Sequence, residues 1–115
     1  MTQQLQMSDQ VSTNVPDLTA KFFRGLGDPT RVKILHLLLD GDKNVGELVE
    51  MVGSPQGRVS SHLACLRWCG YVISYRDGKN VYYTLADPRV KDLLEMARLI
   101  LTDNAERIIA SQVIR

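Results

Sequence analysis

Only two cysteines, Cys65 and Cys69, and two histidines, His36 and His62, occur in the 115 residues. So few histidines leave no plausible catalytic triad. There is also no Cys-x-x-Cys redox pair and no glycine loop of the phosphate-cradling kind, so an enzyme is not expected. No apolar run approaches the roughly 18 residues that cross a bilayer. The start of the chain, Met1 to Asn14, is polar and rich in Gln and Ser, without the charged lead and apolar block of a secretory signal. A cytoplasmic protein is expected, in which two cysteines are thiols rather than a disulfide. A surplus of one charge is missing as well: 14 Lys and Arg stand against 13 Asp and Glu, a net charge of +1. For contact with nucleic acid, the distribution of charge then matters more than the total.

What is present fits an ordinary globular chain. A hydrophobic content of 44% and a charged content of 23% suit one domain with a single core. Residues 1–15 read as a flexible arm and residues 16–115 as the folded domain. Val15-Pro16-Asp17 opens a short helix carrying Leu18, Phe22, Phe23 and Leu26, which Gly25 and Gly27 end. Asp28-Pro29 starts the next helix, apolar nearly all round through Val32, Ile34, Leu35, Leu37, Leu38 and Leu39. Such a helix belongs at the centre of a domain, with His36 expected as a core histidine. Asn44 and Glu47 form a capping-box variant that opens a third helix through Leu48, Val49 and Val52.

Gly53 and Ser54 then lead into the stretch from Ser54 to Gly70. It reads as one helix with Ser54 as N-cap, Pro55 in the first position and Gly70 as a left-handed stop. Two helices across so short a turn make a helix-turn-helix. At about 100° per residue, Leu63 and Leu66 fall within about 40° of Val59, forming a packing stripe. Gly57, Ser60, Ser61 and Ala64 occupy the small, polar far side. His62, Cys65 and Cys69 lie on the seam between, within about 60° of one another.

Beyond Gly70 the pattern becomes β-branched and aromatic. Tyr71–Arg76 and Asn80–Leu85 flank Asp77-Gly78-Lys79, a hairpin signal. A hairpin directly after a helix-turn-helix is a wing, and its tip carries Arg76 and Lys79. Asp87-Pro88 opens a long last helix whose apolar residues, Val90 through Ile109, exceed what one small domain can cover. Phe22 and Phe23 add to that surplus, and a homodimer through the first and last helices is the expected consequence. The fold expected is mostly α with a β-hairpin wing, in the order α-α-α-recognition helix-β-β-α.

Short polar side chains early in a helix suit base edges in the major groove, and long cations suit phosphates. Gln56, Arg58, Ser60, Ser61 and His62 are the candidates on the helix, with Arg76 and Lys79 at the wing. The alternative is a solvated face on a protein-binding module. Cysteines at i and i+4 lie about 6 Å apart at the backbone, so both sulfurs can reach one soft ion. Two thiolates satisfy a linear ion such as Hg(II) or Cu(I); Cd(II), Pb(II), Zn(II) or As(III) need further donors. His62 on the same seam, or Asp103 or Glu106 from a partner's tail, are the donors on offer. The bland alternative is that Cys65 and Cys69 pack as small hydrophobes beside Leu66.

Taken together, Leu26-Gly27-Asp28-Pro29-Thr30-Arg31 and the Ile-Leu helix after it resemble the opening of the ArsR/SmtB family of bacterial winged-helix repressors. Val59-Ser60-Ser61-His62-Leu63 with Leu66-Arg67, followed by Gly78 through Tyr83, is similar to that family's recognition helix and wing. The likeness runs from about Leu18 to about Leu101. It implies a dimer joined by its terminal helices, a palindromic double-stranded DNA operator, and release when an inducer binds. Cys65 and Cys69 are similar to the recognition-helix thiol pair of the family's cadmium- and lead-sensing members. There a tail cysteine of the partner supplies the third ligand, and this chain has no third cysteine. The family's helix-three cysteine position holds Asn44. Its last-helix metal positions hold Asp87, Arg89, Ile100 and Asp103; Arg89 and Ile100 cannot ligate, which rejects that site.

The resulting expectation is a metal-responsive repressor whose inducer is a soft metal or metalloid ion, Cd(II), Pb(II), Hg(II), As(III) or Zn(II). An ArsR-type repressor that responds to thiol oxidation, or to no inducer, is the alternative.

Overall fold

The computed structural model describes residues 15–114. The expected arm, residues 1–15, lies almost wholly outside the described residues, and the first helix, α1, already includes residue 15. It runs over residues 15–24. Then come α2 (Pro29–Leu39), β1 (Lys43–Asn44), α3 (Val45–Val52), α4 (Gln56–Trp68), β2 (Val72–Asp77), β3 (Asn80–Leu85) and α5 (Pro88–Ala110). The strands form one antiparallel sheet in the order β1-β3-β2.

Local chemistry explains most boundaries. The Asp28 carboxylate accepts from the backbone N–H of Thr30 at 2.8 Å and of Arg31 at 3.2 Å, capping α2. Asn44 and Glu47 form a full capping box on α3, at 2.8 and 3.0 Å. Gly53, at φ 77°, ends α3 in the left-handed region and turns the chain into α4. Asp87 caps α5 through the Arg89 N–H at 2.6 Å.

The start of α4 differs from expectation. Pro55, not Ser54, is the cap residue, and no side chain caps the helix. The Pro55 carbonyl accepts from Arg58 and Val59, so the helix begins one residue later and Ser54 stays outside it. Gly70, at φ 86°, is the left-handed stop that was expected.

The core consists of Ile34, Leu35 and Leu38 from α2, Leu48 from α3, Val59, Leu63 and Leu66 from α4, with Tyr71, Val72, Val90 and Leu94. Burying each of the three α4 residues stabilises the fold by roughly 1.5–3 kcal/mol before entropy is charged. His36 is not among them. It is exposed, because α2 turns its Ile34, Leu35 and Leu38 side inward and leaves His36 and Leu39 on the solvent side.

The hairpin is tight: Asp77 pairs with Asn80, so Gly78 and Lys79 form a two-residue turn, with Gly78 at φ 63°. The third strand, β1, carries no sequence signal because it is only two residues long. Its Lys43 and Asn44 pair with Tyr83 and Tyr82. Nearby, the Tyr75 hydroxyl donates to Asp42 at 2.5 Å and its ring stacks on Tyr82, bracing the wing against the lead-in to β1.

The last helix has 23 residues, about 35 Å at the usual rise. Only Val90 and Leu94, in its first two turns, are buried. Met96, Leu99, Ile100, Leu101, Ile108 and Ile109 are all exposed, Ile109 at 83%. The predicted apolar surplus is therefore real, and Leu18, Phe22 and Phe23 extend it onto α1.

Candidate nucleic-acid interface and thiol pair

Val59, Leu63 and Leu66 hold α4 to the core with no exposure at all. That fixes which way the helix faces. Gln56, Gly57, Arg58, Ser60 and Ser61 are all exposed on the side turned away from the core. The Ser61 hydroxyl donates to the Gly57 carbonyl at 3.0 Å. Its proton is thus committed within the helix, and its oxygen faces outward as an acceptor. In a major groove such an acceptor suits the amino groups of adenine or cytosine. Arg76 and Lys79 are exposed at the outer end of the wing.

His62 departs from its neighbours. Its side chain is only 15% exposed, and Nδ1 lies 3.2 Å from Arg31 Nη1. A guanidinium can only donate, so Nδ1 accepts and the ring hydrogen sits on Nε2. Nε2 faces Asp28 Oδ1 at 3.8 Å, too long for a hydrogen bond. Burial raises the pKa of Asp28, but hydrogen bonds from the Arg31 and Thr30 backbone outweigh it and hold the carboxyl below its usual value. The ring of His62 therefore lies behind the exposed face of Gln56, Arg58, Ser60 and Ser61 rather than standing on it. It closes a polar hollow with Asp28, Thr30, Gly57, Arg58 and Ser61.

Cys65 and Cys69 are both free and half-buried. The Cys69 backbone N–H donates to the Cys65 carbonyl at 3.0 Å, one turn along the helix, and Cys69 packs against the core. The Cys69 thiol also borders a groove formed with Leu18, Lys21, Phe22 and Trp68. Burial pushes the Cys69 thiol above its ordinary pKa, and the neighbouring Cys65 adds to this, while Arg31 and Lys21 pull the other way. Cys69 is a protonated thiol at neutral pH.

His62 shares a seam with the cysteines but not a site. Seven residues of helix separate it from Cys69, about 10 Å of rise, and its ring is turned to the start of α2. Among the described residues, no three side chains of the His, Cys, Asp and Glu types come together as a metal site. The donor set that the described residues offer is thus two sulfurs. Asp103 and Glu106, the other donors considered, are exposed on α5.

Three residues that matter here carried no functional reading in the sequence. Tyr71 is fully buried, not a strand residue; its hydroxyl donates to the Phe22 carbonyl at 2.7 Å and its ring stacks on Phe22 at 4.6 Å. That pins α1 beside the thiols. Gly25 is packed so closely that an added methyl would lie 2.9 Å from Cys69 Sγ and 3.0 Å from the Tyr71 ring. Arg31 stands within a motif quoted above, yet only the folded chain shows what its guanidinium touches.

Comparison with known proteins agrees with this architecture. The family described as "Bacterial regulatory protein, arsR family" matches residues 28–74. The chain is 51% identical over 96 residues to a probable mercury resistance operon repressor of Streptomyces lividans, covering 84% of this chain and 77% of that protein. The crystal structure of Rv0081 from Mycobacterium tuberculosis superposes with a TM-score of 0.78 at 37% identity, over 84% of this chain and 97% of that one. A homodimeric winged helix-turn-helix DNA-binding domain from Mycobacterium bovis gives a TM-score of 0.73 at 26% identity, over 80% of this chain and 84% of that one. Among the described residues, no helix is long and apolar enough to cross a membrane.

Proposed function

The chain belongs to the arsR family of bacterial regulatory proteins, and on that premise we propose that it is a metal-responsive transcriptional repressor. It binds operator DNA as a homodimer and lets go when a soft ion is held between Cys65 and Cys69. The reading face is Gln56, Arg58, Ser60 and Ser61 on α4, with Arg76 and Lys79 of the wing on the phosphate backbone. The observation that carries the proposal is the placement of both thiols at the end of the recognition helix, Cys65 in its last turn and Cys69 at its C-cap, both half-buried. Any change in how those sulfurs are held acts directly on the element that meets DNA.

The donor set favours Hg(II) among the candidate ions. Two thiolates complete its linear shell, whereas Cd(II), Pb(II), Zn(II) and As(III) need donors that the described residues of one protomer do not bring together. The name of the Streptomyces lividans relative points the same way. Dimerisation supplies the second reading helix, since a palindromic operator calls for two about 34 Å apart. The exposed apolar side of α5, continued by Phe22 and Phe23 of α1, is the surface for it. The raised pKa of Cys69 weighs against oxidation as the signal, because reactive thiols depend on a depressed one.

The test is a titration of the operator complex with Hg(II), Cd(II), Pb(II), As(III) and Zn(II), following thiolate absorption and DNA release together. Hg(II) releases the wild-type protein. Cys65→Ser with Cys69→Ser keeps operator affinity and loses both the absorption and the release. A double variant that still releases would contradict the site.

A further inference from the structure

The Arg31 side chain joins the thiol pair to the reading face. Nε donates to the Gly25 carbonyl at 2.8 Å, Nη2 to the Arg24 carbonyl at 3.1 Å, and Nη1 to His62 Nδ1 at 3.2 Å. Two arms of this planar fork grip the end of α1, and the third grips the middle of α4. The gripped end of α1 is the part that abuts Cys69. Gly25 is buried there, with no room even for a methyl group between it and the Cys69 sulfur. The Tyr71–Phe22 hydrogen bond and ring stack hold this segment down from the other side. A continuous line of contact therefore runs from Cys69 Sγ through Gly25 and Arg31 to His62. His62 in turn lines the polar hollow with Arg58 and Ser61.

We propose that Arg31 is the positioning residue that couples occupancy of the Cys65–Cys69 pair to the conformation of the DNA-reading face. The proposal rests on the metal-responsive reading above and specifies how its signal travels. An ion drawn between the two sulfurs displaces Cys69 Sγ from its seat. On the Gly25 side there is no free space to absorb that movement, so the 24–25 segment shifts. A guanidinium fixed to both carbonyls carries the shift to His62 and tilts the first turns of α4, where Gln56, Arg58, Ser60 and Ser61 stand. A lysine keeps the charge but not the fork: one ammonium cannot hold two carbonyls and an imidazole in a fixed plane. Arg31 makes no hydrogen bond to the sulfurs or to the exposed reading side chains, and a lysine keeps the charge it presents to Cys69, so the exchange uncouples the two functions without removing either.

The experiment uses the full chain and reads three quantities for wild type and Arg31→Lys. These are operator Kd without metal, operator Kd with saturating Hg(II), and Hg(II) uptake by thiolate absorption. Wild type is expected to lose operator affinity about 10- to 100-fold on metal binding, within the usual span of allosteric coupling. Arg31→Lys is expected to take up Hg(II) through the same absorption band and to bind operator in its absence. Its ratio of metal-bound to metal-free Kd falls to within about threefold of unity, below that span. A purely structural role would lower the melting temperature and leave the ratio unchanged.

If Arg31→Lys does not fold, His62→Leu removes the other end of the link and is measured in its place, with the same collapse of the ratio expected. A variant that binds metal and still releases operator as wild type does overturns the coupling role while leaving the metal reading intact. A wild-type complex indifferent to Hg(II) overturns both.

Discussion

Lys79 offers the sharpest test of how the wing meets DNA. The two strands of the hairpin have six residues each, so its tip stands about 20 Å beyond the base of the sheet. Lys79 sits in the two-residue turn, exposed, without a protein carboxylate bonded to it among the described residues. If it lies on phosphate, each dimer loses two such contacts in Lys79→Ala. Each neutralised phosphate contributes about 0.9 to the slope of log Kd against log salt, so the slope falls by about 1.8. Between about 50 and about 200 mM salt, the wild-type advantage over the variant then shrinks by roughly tenfold. The assay is operator binding by fluorescence anisotropy at several salt concentrations. Ser61→Ala is the contrast: it removes a single outward acceptor, costs about 0.5–1.5 kcal/mol at one base, and leaves the slope alone. An unchanged slope in Lys79→Ala would mean that the wing does not contact the backbone.

Two more expectations follow from the thiols and the dimer surface. Because burial and its neighbour Cys65 keep Cys69 protonated, metal uptake must displace that proton. The sign is that binding tightens as pH rises below the thiol pKa, by about tenfold per pH unit for one proton, with acid released in weakly buffered solution. Uptake without proton release would show that Cys69 is not a ligand. Leu101→Glu places a charge in the exposed apolar side of α5, clear of its anchors Val90 and Leu94. An uncompensated buried charge costs about 3–5 kcal/mol, so sedimentation should find folded monomers with helix content retained. A dimer that persists would locate the interface elsewhere.

Much of the architecture was legible before any coordinates because its signals are local. Asp28, Asn44 and Asp87 each cap a helix through backbone groups two or three residues away. Gly53, Gly70 and Gly78 mark turns by a backbone angle that other residues resist. The spacing of Val59, Leu63 and Leu66 states which side of α4 faces the core, and so which side is left exposed. The i, i+4 spacing of Cys65 and Cys69 makes them neighbours in any helix.

Other features depended on residues far apart in the chain, and no window of sequence contains them. His62 and the cysteines share an angular position on α4, yet α2 draws His62 away through Arg31, 31 residues earlier. Whether His36 is buried was decided by how α2 rolls onto its neighbours, which its nearly uniform apolar pattern does not specify. The pairing of Lys43 and Asn44 with β3 needs the completed hairpin as a template. Local hydrogen bonds and periodicity can be written in a few adjacent residues. The fork of Arg31 between Gly25 and His62 exists only once three helices have packed, and it is there that the two halves of the proposed function meet.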